Sequence, residues 1–111
     1  MMTRMQLLRV YLNEGDRLDD RPAYAVLVER FRAAGVSGAS VFKGIEGFGN
    51  RRIVHTARVF DLSTDLPVVI EVIASAEQIA AILPVVRASL AEGLLTLEAV
   101  DLLRLGSVAG A

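Results

Sequence analysis

The chain has 111 residues, 53% of them hydrophobic and only 5% aromatic, with a net charge of −1 and no cysteine. That length suits one domain, residues 1–111, built around Leu, Val, Ile and Ala, and it is too short for two. The charge argues against general nucleic-acid binding, the absence of cysteine excludes disulfides and thiolate chemistry, and the longest apolar run, Ile79 to Val86, is too short to cross a bilayer.

Met5 to Leu12 alternates, with Leu8, Val10 and Leu12 on one face, and reads as a strand. Asn13 to Asp20 holds Gly15 and four acidic residues and reads as a loop. Asp20 is placed to cap a helix, and Pro22 to sit in its first turn. Tyr24, Leu27, Val28 and Phe31 share one face of that helix, and Gly35 ends it. A second strand follows over Ala39 to Ile45. Leu66 to Ala74 is the next strand. Ser75 and Gln78 fit a capping box, and Ile79, Leu83, Val86 and Leu90 form the buried stripe of a second helix. Pro84 lies inside that helix and removes one of its hydrogen bonds, and Gly93 closes it. Leu94 to Leu105 supplies the last extended segment, with an interruption near Glu98, and residues 106–111 form a flexible tail.

This is β-α-β twice, which predicts an α+β ferredoxin-like βαββαβ domain: an antiparallel sheet with both helices on one face. Val68 to Ile73 is apolar on both strand faces except at Glu71. Two helices cover one face only, and a large apolar patch is seldom left in water. A homo-oligomer with open sheet faces packed around an axis is therefore expected.

Between the halves runs a long connection, residues 44–65, opening with Gly44-Ile45-Glu46-Gly47-Phe48-Gly49-Asn50-Arg51-Arg52. The glycines permit tight turns and close approach. The arginines carry fixed charge on planar forks that suit phosphate or carboxylate. From Lys43 to Arg58 four basic residues face one acidic residue, a balance of +3, while the remainder balances to −4. A cationic segment on an acidic body suits capture of a small anion. The middle of the connection, Ile53 to Phe60, has the composition of a β-arm or an added strand.

These motifs resemble two related families. Gly47-Phe48-Gly49 followed by basic residues, then Asp65-Leu66-Pro67-Val68-Val69-Ile70-Glu71-Val72, is similar to the PII nitrogen-regulatory signal-transduction proteins, in which a Gly-Phe-Gly stretch opens a long regulatory T-loop. The closer resemblance is to a PII-like family, domain of unknown function 190. It shares Gly44 to Gly49, His55-Thr56-Ala57-Arg58, Asp65 to Glu71, the Pro84 helix and the Glu92-Gly93-Leu94 to Glu98 ending. The resemblance implies a homotrimer with ligand clefts between subunits, and the absence of cysteine fits a reducing compartment, by default the cytoplasm. An adenine nucleotide is one candidate ligand, and a transporter, channel or enzyme the partner read by the loop, with no membrane insertion of its own. Carried over, the candidate ligand residues are Gly47, Phe48 and Gly49 at the loop base and Asn50, Arg51, Arg52, His55 and Arg58 in the loop; Arg104, near the last strand's end, is a further candidate by its charge. Two parts of the PII pattern have no counterpart. The connection Ala91 to Thr96 lacks a basic residue, and the loop lacks a tyrosine.

No catalytic residue is expected. His55 is the only histidine, and no serine sits in a nucleophile elbow. Glu71 in its apolar strand is expected to pair with an arginine such as Arg9 or Arg58. The alternative reading is a small oligomeric enzyme or metal-handling protein using His55 and Glu71, with metal ligands gathered from several subunits.

Overall fold

Alternation along Met2–Asn13 makes strand β1, with Leu8, Val10 and Leu12 buried on one side. Pro67–Ala74, a run of β-formers apolar on both sides except at Glu71, makes β7 and buries Val68, Ile70, Val72 and Ala74. The computed structural model describes residues 2–48, 55–56 (backbone only) and 65–106. β1 is followed by two two-residue strands, β2 (Arg17–Leu18) and β3 (Arg21–Pro22), then helix α1 (Ala23–Ala33) and strand β4 (Ser40–Lys43). β5 (Glu46–Gly47) pairs with β6 (His55–Thr56), and after β7 come helix α2 (Ala76–Ser89) and strand β8 (Leu94–Leu103).

The main sheet is ordered β4-β7-β1-β8, and all its neighbours are antiparallel. Both helices lie on one face. Ala23, Leu27 and Phe31 of α1 and Ile79, Ile82 and Val86 of α2 join the inward residues of β1 and β7 in one core. This is the expected ferredoxin-like α+β arrangement.

Local chemistry explains most element ends. The Ser75 hydroxyl accepts from the Gln78 N–H at 3.2 Å, and the Gln78 side chain accepts from the Ser75 N–H at 3.2 Å, so the capping box is formed. Gly35, at φ +93°, follows α1 as expected.

Four expectations need correction. Asp20 does not cap α1: Pro22 holds the N-cap position without a side-chain cap. Asp19 and Asp20 instead take positive φ, 52° and 62°, in the β2–β3 turn, a conformation that aspartate tolerates better than most residues. α2 ends at Ser89, before Gly93, whose φ of +145° serves the turn into β8. A Cβ on Gly93 would lie 3.0 Å from the Tyr11 carbonyl oxygen. β8 runs unbroken past Glu98, because it pairs with β1 from Leu94 through Leu103. The stripe of α2 is centred on Ile82 rather than Leu83, which is only partly buried.

Candidate functional site

The base of the 44–65 connection is built where β4 stops and β7 starts. The Gly44 N–H donates to the Pro67 carbonyl at 2.7 Å. A Cβ on Gly44 would lie 2.7 Å from the Pro67 ring carbon Cγ, and one on Gly47 would lie 3.1 Å from it. Neither glycine has a positive φ. Their lack of a side chain thus makes room for a proline, and the close approach read from the sequence is satisfied inside the chain.

The turn after β1 ties down the same base. The Glu14 N–H donates to the Leu66 carbonyl at 2.8 Å, and the Gly15 N–H donates to the Asp65 carboxylate at 2.5 Å. Lys43 pairs with Glu14 at 2.8 Å. Both stems of the connection are therefore held to one turn. Opposite Gly47 in the short β5–β6 ladder stands His55, so the backbone returns to the base at that point. Phe48 is exposed beside it.

Among the predicted ligand residues, the structure thus brings Gly47, Phe48 and the His55 backbone together. Gly49, Asn50, Arg51, Arg52 and Arg58 lie outside the described residues. Arg104 is not brought there. It follows the end of β8 that pairs with Met2, whereas the loop base adjoins the other end of the sheet, beside Asn13 and Pro67. At about 3.3 Å per residue the length of β8 separates them by roughly 30 Å.

A second feature shares the base's end of the sheet. The last turn of α2 and the start of β8 border a half-open depression of about 110 Å³ beside Arg87, Leu90, Glu92 and Gly93. Arg87 places a positive charge beside the Ala91–Thr96 connection, one turn earlier in the chain. The sequence reading missed it by looking only within the connection. The available signal was a basic residue in the last turn of a helix, where it faces the negative end of the dipole. The depression is smaller than the roughly 300 Å³ that a small-molecule pocket usually offers. A ligand of nucleotide size needs a further wall. The loop base sits at the β4 edge of the sheet and this corner at the β8 edge. Three strand spacings, about 14 Å, separate the two edges.

Glu71 is engaged. The Arg9 Nε donates to it at 2.9 Å, and Arg9 Nη1 donates to Glu98 at 2.6 Å. Arg9 is thus a partner of Glu71, as expected, while Arg58 lies outside the described residues. The hydrogen bond Arg9 donates to Glu71, then that to Glu98, hold the guanidinium in its charged form beyond its ordinary range. Among the described residues no group of His, Asp or Glu is placed to hold a metal ion, and no helix is long and apolar enough to cross a membrane.

Residues 5–102 match the DUF190 family, described as an uncharacterized ACR. A UPF0166 protein of Aquifex aeolicus (strain VF5) is 34% identical over 104 residues, covering 94% of this chain and 98% of the relative. A UPF0166 protein of Methanocaldococcus jannaschii is 37% identical over 83 residues, covering 75% and 76%. Among solved structures, the fold is similar to CPII of Thiomonas intermedia K12, a nitrogen regulatory PII-like protein bound to ADP, AMP and bicarbonate. The TM-score is 0.68 at 15% identity, covering 94% of this chain and 92% of that one. A Thermus thermophilus protein described as a PII-like signaling protein gives a TM-score of 0.67 at 18% identity, with 91% of both chains covered.

Proposed function

The chain belongs to the DUF190 family, and from that premise we propose that it is a PII-like regulator. It assembles as a homotrimer, binds a small anionic ligand in clefts between subunits, and presents the 44–65 connection to a cytoplasmic partner. An adenine nucleotide is the ligand class favoured, because CPII, which shares the fold, was solved with ADP and AMP. The partner is a transporter, a channel or an enzyme.

One observation carries the reading. Two partial sites lie at the same end of the sheet on opposite edges: the glycine-lined loop base at β4 and the Arg87 corner at β8. Neighbouring subunits placed edge to edge would set the base of one against the corner of the next. That arrangement supplies the wall the small depression lacks. Arg87 from one side, with Arg51 and Arg52 from the other, would face the anion as charged donors. The Glu71–Arg9 pair gives the enzyme alternative no free carboxylate at that position.

Thermal unfolding with and without ADP tests this. At a hundredfold excess over the dissociation constant, ADP should stabilise the protein by about 2.7 kcal/mol. Arg87→Ala, and separately Arg51→Ala with Arg52→Ala, should reduce the shift while sedimentation still shows the assembled species. No response to any adenine nucleotide would remove the ligand class. An unchanged response in Arg87→Ala would remove that residue from the cleft.

A further inference from the structure

The side of the sheet away from the helices carries a row of apolar residues, one from each strand. Phe42 stands opposite Val69, Val69 opposite Tyr11, and Tyr11 opposite Leu94. Phe42 is 53% exposed and Leu94 62% exposed, so the row is uncovered in the single chain. Two residues further along β1, on the same side, lies Arg9 with its two carboxylates, Glu71 and Glu98. About a third of the Arg9 and Glu71 side chains is reached by water in one subunit, and about half of the Glu98 side chain.

The charges on this side do not balance. Arg9 contributes +1, and Glu71 and Glu98 contribute −2, leaving −1 for each copy. The neighbouring elements bring no further cation among the described residues. From β4 the side receives Ser40 opposite Glu71, and from β8 Thr96 opposite Arg9. Tyr11 is the other titratable side chain of β1 there. Arg4 and Asp101 pair with each other at 3.1 Å on the helix side of the sheet. Lys43, also on the helix side, pairs with Glu14. Arg104 is eight residues from Thr96, about 26 Å along an extended chain. A second copy using the same face adds the same described groups, and these leave the excess in place. Taking an unpaired charge out of water is costly.

We propose that covering this face with copies of the same chain takes up about one proton per subunit at the Arg9–Glu71–Glu98 cluster, which makes assembly pH-sensitive. The inference rests on the trimer proposed above and adds its regulation. Proton uptake on association means that assembly strengthens as pH falls and weakens as pH rises, by about tenfold per pH unit for each proton fully taken up. The partner copy thereby completes the device, since a lone subunit leaves the cluster in contact with water.

Sedimentation equilibrium on the full chain at constant ionic strength, from about pH 5 to about pH 8, tests it. The wild type should dissociate progressively toward high pH. Glu98→Gln removes the excess charge and keeps the Arg9–Glu71 pair, so it should stay assembled across the range. Glu71→Gln provides the second variant with the same expected result. Assembly of the wild type that does not change with pH overturns the inference and leaves the trimer standing. Dissociation of Glu98→Gln and Glu71→Gln with the wild-type pH profile also overturns it, by removing this cluster as the source. A single subunit at every pH overturns both the trimer and its regulation.

Discussion

The two faces of the β4-β7-β1-β8 sheet differ although the strands supply aliphatic residues to both. On the helix side, Leu8, Val10, Ile70 and Val72 are buried within one subunit. On the other side, Ile73 and Phe42 remain substantially exposed, and the centre is an ion cluster. The first face is completed by the chain itself. The second stays open among the described residues, and an apolar surface of this kind gains by leaving water.

The sharpest way to break that contrast is a pair of matched truncations in β7. Ile70→Ala empties a fully buried position and should cost about 2–5 kcal/mol in chemical denaturation. Ile73→Ala should cost under about 1 kcal/mol in a dissociated subunit, because water already reaches the side chain. In the assembled protein Ile73→Ala should weaken association instead. Equal costs at the two positions in dissociated protein would mean that the two faces are not energetically distinct.

A middle-sized effect is expected at the edge where the faces meet the loop base. Gly44→Ala pushes a Cβ to within 2.7 Å of the Pro67 ring, so one of the two must move. The expected loss is about 1–3 kcal/mol, the usual range for overpacking. Gly38→Ala, which meets nothing within 4 Å, is the control. A Gly44→Ala protein as stable as Gly38→Ala would show that Pro67 does not fix the stem.

The helix side was largely readable in advance because it obeys two periods. Alternation in Met5 to Leu12 and the β-rich apolar run Leu66 to Ala74 located both central strands, and the Ser75–Gln78 box located the start of α2. The misses were of register and of competition. Ile82 displaced Leu83 from the stripe because neighbouring helical positions differ by only about 100°, and both are apolar. Asp20 was taken by a hairpin turn before it could cap a helix. The candidate site was less readable. Gly44 and Gly47 were visible as glycines, but Pro67, the reason for them, lies about twenty residues away. Arg87 joins Gly93 through the folding back of β8, which no local pattern reports. Arg104 looked suitable by charge and was ruled out of its own subunit's base by strand direction.

A smaller effect should come from the cap itself. Ser75→Ala removes the hydroxyl that accepts from the Gln78 N–H and should cost about 1 kcal/mol. Ser75→Asp retains an acceptor and should recover most of it. A loss much above that value would mean that the start of α2 supports the core through more than its cap.

The smallest effect separates a charge pair in water from the cluster on the open face. Arg21 donates two hydrogen bonds to Glu29, at 2.6 and 2.9 Å, on a surface both side chains share with solvent. The Arg21 hydrogen bond, opposed by partial desolvation, holds the Glu29 carboxyl below its ordinary value of 4.5. A carboxyl shifted down in the folded state contributes stability that is fully present above its unfolded value and is lost as pH falls through the folded one. Glu29→Gln should therefore be slightly less stable than wild type at neutral pH and indistinguishable from it well below 4.5, as read by urea midpoints at each pH. Exposed pairs contribute little, so the neutral-pH gap should be the least of those predicted. Its direction in pH is opposite to that expected for assembly through Arg9, Glu71 and Glu98, where acid strengthens the contact. A single pH series recording both the unfolding midpoint and the mass of the particle would therefore move the two readouts apart, and parallel movement would mean that one source of charge governs both.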